Sequence, residues 1–178
     1  MQQKTIVLID GSNFYFKVKE LKLPSLLYFD FSKFIKSLAR NNKLVWVKYY
    51  VGKIRTDGTP QVQRLFNQQR KLLAHLKKHG IQYSLGYLSE SQGKFHEKGV
   101  DVQMATDMLV TAYENKCDQI ILISSDTDLL PAIDQIKRRG KAIQYIGFSH
   151  QPSIALMRNC TAKKLLAKNE LQAFFEAR

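Results

Sequence analysis

Acidic residues are scarce in this chain: its 178 residues hold 15 Asp and Glu against 28 Lys and Arg, a net charge of +13. That balance is the electrostatic footprint of a polyanion partner, nucleic acid first among them. Cysteine is scarcer still. Cys117 and Cys160 are the only two, which excludes a disulfide framework, and neither has a partner at metal-ligand spacing. Both are expected to be inert, partly buried thiols in a reducing compartment. Long apolar runs are missing, so no signal peptide or membrane span is expected, and a cytoplasmic location is. There is no Gly-rich phosphate loop of the G-x-G-x-x-G or P-loop kind, which counts against a nucleotide-binding domain. No His stands near a candidate nucleophile in sequence, so neither a Ser-His-Asp nor a Cys-His arrangement competes. Repeats, low-complexity tracts and linkers are absent, and the length suits one domain with a substantial core.

What is present alternates. Apolar or β-branched runs at residues 4–10, 43–52, 81–89, 119–125 and 141–148 read as strands. Between them, helical patterns cover 13–24, 30–41, 60–79, 100–115 and 126–140, with helical pieces at 152–159 and 168–178. Residues 90–99 read as a polar loop. About five strands alternating with helices require a three-layer α/β fold with a central, mainly parallel sheet. The runs are continuously apolar, as strands buried on both faces are. In such sheets, sites form beyond the carboxyl ends of the strands.

Four of the few acids, from three segments, sit where a site is expected. "IVLIDGSNFYF" runs from Ile6 to Ile9 straight into Asp10, then through Ser12 and Asn13. "IILISSDTDLL" repeats the design: Ser124 and Ser125, then Asp126, Thr127 and Asp128. An N-cap on the following helix accounts for one acid there, but not for two plus Asp10. The third contributor is Asp101 in "KGVDVQMATDML". At about 100° per residue it falls in the apolar arc of its helix, where a lone carboxylate is costly without a partner. The alternative is a first-turn acid favoured by the helix dipole. Asp107 falls on the polar face and reads as a surface or helix-packing acid. Four carboxylates at one sheet edge repel: at ~4 Å each pair costs ~4 kcal/mol at an effective dielectric of 20. A counter-charge is required, and oxygen-only ligands select Mg²⁺ or Mn²⁺ over zinc. Lysine is the other possible counter-charge, with Lys98 close in sequence. His75 and His79, four apart, have a metal-compatible spacing but read more simply as a solvated helix face.

"LIDGSNFYF", "KGVDVQMATDML" and "ILISSDTDLLPAI", in that order, resemble the NYN domain of the PIN-like nuclease superfamily, and most closely its LabA-like branch. The resemblance covers roughly residues 4–160, and Asp10, Asn13, Asp101, Asp126 and Asp128 fall on the family's motif positions. It implies a Rossmann-like fold, a Mg²⁺ or Mn²⁺ site built from those acids, and hydrolysis of RNA phosphodiester bonds. A non-catalytic RNA-binding or regulatory module that keeps the acids is the alternative. The domain is expected over 1–162, with residues 163–178 a helical extension packed on it.

On this reading Asp10 and Asp126 are the most direct metal ligands. Asp101 and Asp128 bind through water, hold a second ion or orient the nucleophilic water. Asn13 orients Asp10 or touches the scissile phosphate. Ser12, Ser125 and Thr127 offer hydroxyls, and Lys53, Arg55, Lys94 and Lys98 track the RNA backbone. Tyr15 and Phe95 are candidates to stack bases, whereas Phe14 and Phe16 are expected in the core. The aromatics of "LQAFFEA" are expected to pack on the domain or on a second copy, so a homo-oligomer is possible.

Overall fold

The computed structural model of the chain describes residues 2–56, 58–91 and 94–176, with the side chains of 88–97 outside that description. Its centre is β1 (Lys4–Asp10). Val7 and Ile9 pack into one layer, and Ile6 and Leu8 into the other. Burial on both faces is why this strand shows no polar alternation. Around it the chain forms α1 (Gly11–Glu20), α2 (Phe31–Ala39), β2 (Lys43–Val51), α3 (Pro60–Lys78) and β3 (Gln82–Leu85). Next come β4 (Tyr87–Ser91), β5 (Lys94–Lys98), α4 (Val100–Tyr113), β6 (Gln119–Ile123) and α5 (Leu130–Arg138). β7 (Ala142–Phe148), α6 (Ile154–Asn159), β8 (Ala162–Leu166) and α7 (Lys168–Gln172) complete it.

Six strands form one sheet in the order β3-β2-β1-β6-β7-β8, every neighbouring pair parallel. With the separate β4–β5 hairpin set aside, this is the doubly wound order with its switch point between β1 and β6. One layer holds α1, α2, α3 and α7 over an aromatic core that includes Phe14, Phe29, Phe31, Phe34 and Phe148. The other holds α4, α5 and α6 over Met104, Met108, Ile133, Ile136 and Leu156. The three-layer α/β expectation therefore holds, with six sheet strands instead of about five.

Three local expectations change. Residues 163–166, read as the start of a helical extension, belong to β8, which pairs beside β7. It is an edge strand carrying exposed Lys163, so it lacks the continuous apolar run of its neighbours. The run at 81–89 divides at Gly86 into β3, in the main sheet, and β4, which pairs antiparallel with β5. The polar stretch before α4 is thus largely a hairpin. Finally, His75 and His79 are not a solvated face. His75 Nε2 lies 2.9 Å from Phe29 O, and His79 Nδ1 lies 2.8 Å from Ser32 Oγ. The two rings join α3 to the start of α2.

Residues 171–176 close the aromatic layer. Leu171 is fully buried. The Phe174 ring lies 5.3 Å from Phe34, and Phe175 lies 5.0 Å from Phe29. Asp30 N donates to Phe174 O at 2.7 Å. The aromatics of this segment are therefore spent inside their own domain. Among the described residues, no helix is long and apolar enough to cross a membrane. Because the segment is integral to the core, Leu171→Ala is expected to cost about 2–5 kcal/mol in urea unfolding; a loss below about 0.5 kcal/mol, the level of an exposed site, would show the segment to be an appendage.

Candidate active site

Parallel pairing of β1 with β6 sets Ile9 against Ile123, so the chain leaves both strands at the same level. Asp10 and Ser124 then meet. Ser124 Oγ donates to Asp10 Oδ2 at 2.9 Å, and both residues are buried. Asp10 Oδ1 accepts from Asn13 N at 3.0 Å and so caps α1. On the other strand, Asp126 N donates to Ser124 Oγ at 3.0 Å, and Asp128 N donates to Asp126 Oδ1 at 2.9 Å. One hydrogen-bonded chain thus runs from Asp128 through Asp126 and Ser124 to Asp10. Ser124, which links the two strand ends, is the candidate-site residue that the sequence pattern passed over for Ser125. Its signal is register, because it is the next rung opposite Asp10 once β1 and β6 are paired.

Gly11 lets the turn form. A Cβ there would lie 2.1 Å from the Tyr49 ring and 2.7 Å from Tyr50 O. The Tyr49 hydroxyl donates to Gly11 O at 3.0 Å and holds the turn against β2. Gly99 does the equivalent for Asp101. It sits at φ +84° immediately before α4 and places Asp101 in the first turn.

An open cleft of about 550 Å³ lies over the switch point, lined by Asp10, Asn13, Lys98, Asp101, Ser125 and Asp126. Ser12 and Phe16 also line it. Asp101 is exposed at this cleft and not part of the core, so its place in the apolar arc reflects a helix that turns its first residues towards the cleft. Asp128 and Thr127 are exposed and do not line the cleft, though the Asp128 charge reaches Asp101. Lys53 lines a neighbouring cleft, Arg55 is exposed beyond it, and the Lys94 and Phe95 side chains lie outside the described residues. Phe14 is in the core as expected. Phe16 is not: it is 56% exposed. Helical phase explains the difference, since Gly11, Phe14 and Val18 mark the buried face of α1 and residue 16 points away from it.

Burial pushes the Asp10 carboxyl above its ordinary range, and the Asp126 charge adds to this against the hydrogen bonds from Asn13 N and Ser124. Asp101 is raised in the same direction, by partial desolvation and then by the charges of Asp126, Asp10 and Asp128. Asp107 behaves oppositely. Burial pushes it up, but Lys48 at 2.6 Å and the Tyr50 hydroxyl at 2.7 Å outweigh this and hold it low. It is the acid that packs α4 on β2, and its charge is already balanced; those of Asp10 and Asp101 are not.

Two further oxygens of the cleft, Asn13 Oδ1 and Ser125 Oγ, are buried without a hydrogen-bond partner. Unpaired hard oxygens beside raised carboxylates are a donor set that suits Mg²⁺ or Mn²⁺. The side chains are not drawn together around such an ion. Among the described residues, no three His, Cys, Asp or Glu side chains are grouped closely enough to hold a metal. Both Asp10 oxygens and one Asp126 oxygen are engaged by donors of the chain itself.

A raised carboxyl holds its proton to higher pH in the folded chain than in the unfolded one. Its contribution to stability is therefore present below the unfolded pKa and lost as pH rises through the raised value. Asp10→Asn removes this loss and keeps a side chain able to cap α1. In EDTA, Asp10→Asn is expected to match the wild type in melting temperature at acid pH and to exceed it at neutral pH. An Asp10→Asn protein less stable than the wild type at neutral pH would refute the charge imbalance.

A protein of unknown function from Vibrio parahaemolyticus has a similar structure: TM-score 0.66, with 23% identity over 93% of each chain. That likeness is one of fold. No curated protein matches the chain. The family model of the NYN domain matches residues 4–165, from the first residue of β1 into β8. The chain belongs to the NYN domain family.

Proposed function

We propose that this protein is a ribonuclease that hydrolyses RNA phosphodiester bonds with Mg²⁺ or Mn²⁺ at the carboxylate cleft, and that it belongs to the LabA-like branch of its family. The observation that carries this reading is the one cleft that Asp10, Asp101 and Asp126 line together with the unpartnered oxygens of Asn13 and Ser125, on a chain of net charge +13. Asp10 and Asp126 would hold the cation, and Asp101 and Asp128 would bind it through water, hold a second ion or orient the nucleophilic water. Bound there, a divalent ion supplies charge neutralisation and an activated water.

The chain's own groups do the remaining work. Ser124 fixes Asp10 in one rotamer and ties it to the backbone of Asp126. Asp101, exposed with a raised carboxyl, accepts a proton from the attacking water or orients it. Ser12, Ser125 and Thr127 offer hydroxyls to phosphate oxygens. Lys98 at the cleft, with Lys53, Arg55 and Lys94, tracks the RNA backbone. Cys117 and Cys160 are free thiols pushed up to about 11 by burial, which makes both poor nucleophiles at neutral pH.

One observation favours a second reading, an RNA-binding or regulatory module without turnover: the carboxylates are not grouped around a metal position among the described residues. The experiment separates the two. Asp10→Ala and Asp126→Ala are expected to lower Mn²⁺-dependent RNA cleavage about 100-fold or more while RNA binding survives. Cleavage that persists in both variants or in excess EDTA overturns the ribonuclease reading. Salt-sensitive binding by a wild type that never cleaves establishes the second. Lys53→Ala should reduce the slope of log affinity against log salt by about 0.7 for single-stranded RNA.

A further inference from the structure

Beside the carboxylate cleft lies a second one, of about 620 Å³, with different chemistry. Tyr15, Phe16 and Lys19 of α1, Lys53 after β2, and Leu65 and Gln68 of α3 are among its lining. Ser12 and Phe16 belong to both clefts, so the two form one continuous depression. Its described lining contains no acidic residue. Tyr15 and Phe16 are 42% and 56% exposed, and their rings meet edge to face at 5.4 Å. Both stand on the side of α1 away from Phe14 and Val18 and leave about half of their surface accessible.

The depression is already shaped. Gln69 Nε2 donates to Gly52 O at 2.6 Å, and Ile54 N donates to Gln69 Oε1 at 3.0 Å. This pair of bonds fixes the segment that carries Lys53. Around the opening, Lys19 and Lys53 are exposed, and Arg64 and Lys71 stand one turn either side of Gln68 on α3. An apolar floor, two accessible rings and a cationic border, with no carboxylate among the described lining residues, are complementary to one kind of occupant: a flat heteroaromatic base on a polyanionic strand.

We propose that this second cleft is a nucleobase subsite, in which an unpaired base of single-stranded RNA stacks on Phe16 and Tyr15 while its neighbouring phosphate lies over Asp10 and Asp126. The inference rests on the ribonuclease reading only for the position of that phosphate. It makes the substrate a single strand, because a base held in a duplex cannot leave its stack to enter the cleft without the cost of unpairing. It also makes recognition tolerant of base identity, since every base has a face to stack.

The test is fluorescence anisotropy in EDTA with a short labelled single-stranded RNA, the same strand carrying abasic positions, and the matching duplex. The wild type is expected to bind the intact strand at least about fivefold more tightly than the abasic strand or the duplex. Phe16→Ala and Tyr15→Ala should lose that preference, and Phe16→Tyr should keep it. Equal binding of intact and abasic strands overturns the proposal, as do alanine variants that bind like the wild type. A wild-type dimer that Phe16→Ala dissociates, with RNA affinity unchanged, would give the cleft to a second copy and also overturn it. Base-dependent binding by a protein that never cleaves RNA supports the subsite while refuting the ribonuclease reading. Cleavage without base dependence does the reverse.

Discussion

The hydrogen bond from Ser124 to Asp10 spans the switch point of the sheet, and much of the site depends on it. A carboxylate at the end of a fully buried strand has little water to solvate it, and an unpaired one would be expelled or protonated. Here its two oxygens are satisfied from different directions, by the first turn of α1 and by the end of β6. The same hydroxyl that donates to Asp10 accepts from Asp126 N. One small side chain therefore fixes the distance between the two strand ends that carry the acids. Parallel pairing delivers this geometry only in the register that sets Ile9 beside Ile123.

Charge is distributed as unevenly as the fold allows. Asp107 is acidic and half-buried, yet it is paired with Lys48 and Tyr50 and serves packing. Asp10 and Asp101 are raised by desolvation first and by the neighbouring carboxylate charges after it, with no cation among the causes to offset them. An ion pair would have been the cheaper solution for stability alone. The chain has 28 basic side chains to draw on and brings Lys98 to the cleft. Leaving carboxylates unneutralised at the switch point of a basic protein is a local violation of the pattern that the rest of the chain obeys, and such violations concentrate at functional sites.

Most of the sheet was legible because burial on both faces writes itself into sequence as an unbroken apolar run: β1, β6 and β7 needed nothing more. β8 was missed because an edge strand with lysines carries no such run. The hairpin of β4 and β5 lies apart from the main sheet, so the central-strand pattern never applied to it. The acids at strand ends were legible as an anomaly of polarity. Ser124 was not, since its importance comes from the residue across the sheet, which no local pattern contains. Phe16 was misread for want of helical phase. A run of three aromatics looks like core, but α1 buries only the residues in step with Phe14 and Val18. The two His residues of α3 were misread because their partners, Phe29 and Ser32, come from a distant segment.

The segment that closes the aromatic layer bears on the order of folding. Phe174 and Phe175 contact Phe29 and Phe34, among the most sequence-distant contacts in the domain, and the backbones of residues 28–30 bond to those of 174–176. Contacts of such separation carry the largest loop-closure cost and form late. Leu23 to Leu27, which wall the second cleft, immediately precede that seam. The chain as far as β7 contains every element that carries Asp10, Asp101 and Asp126: the end of β1, the first turn of α4 and the turn after β6. The wall of the cleft beside them would still lack its clasp. The acidic site is thus built from elements that precede β8, whereas the shape of the surface next to it depends on a seam that the last residues of the domain close.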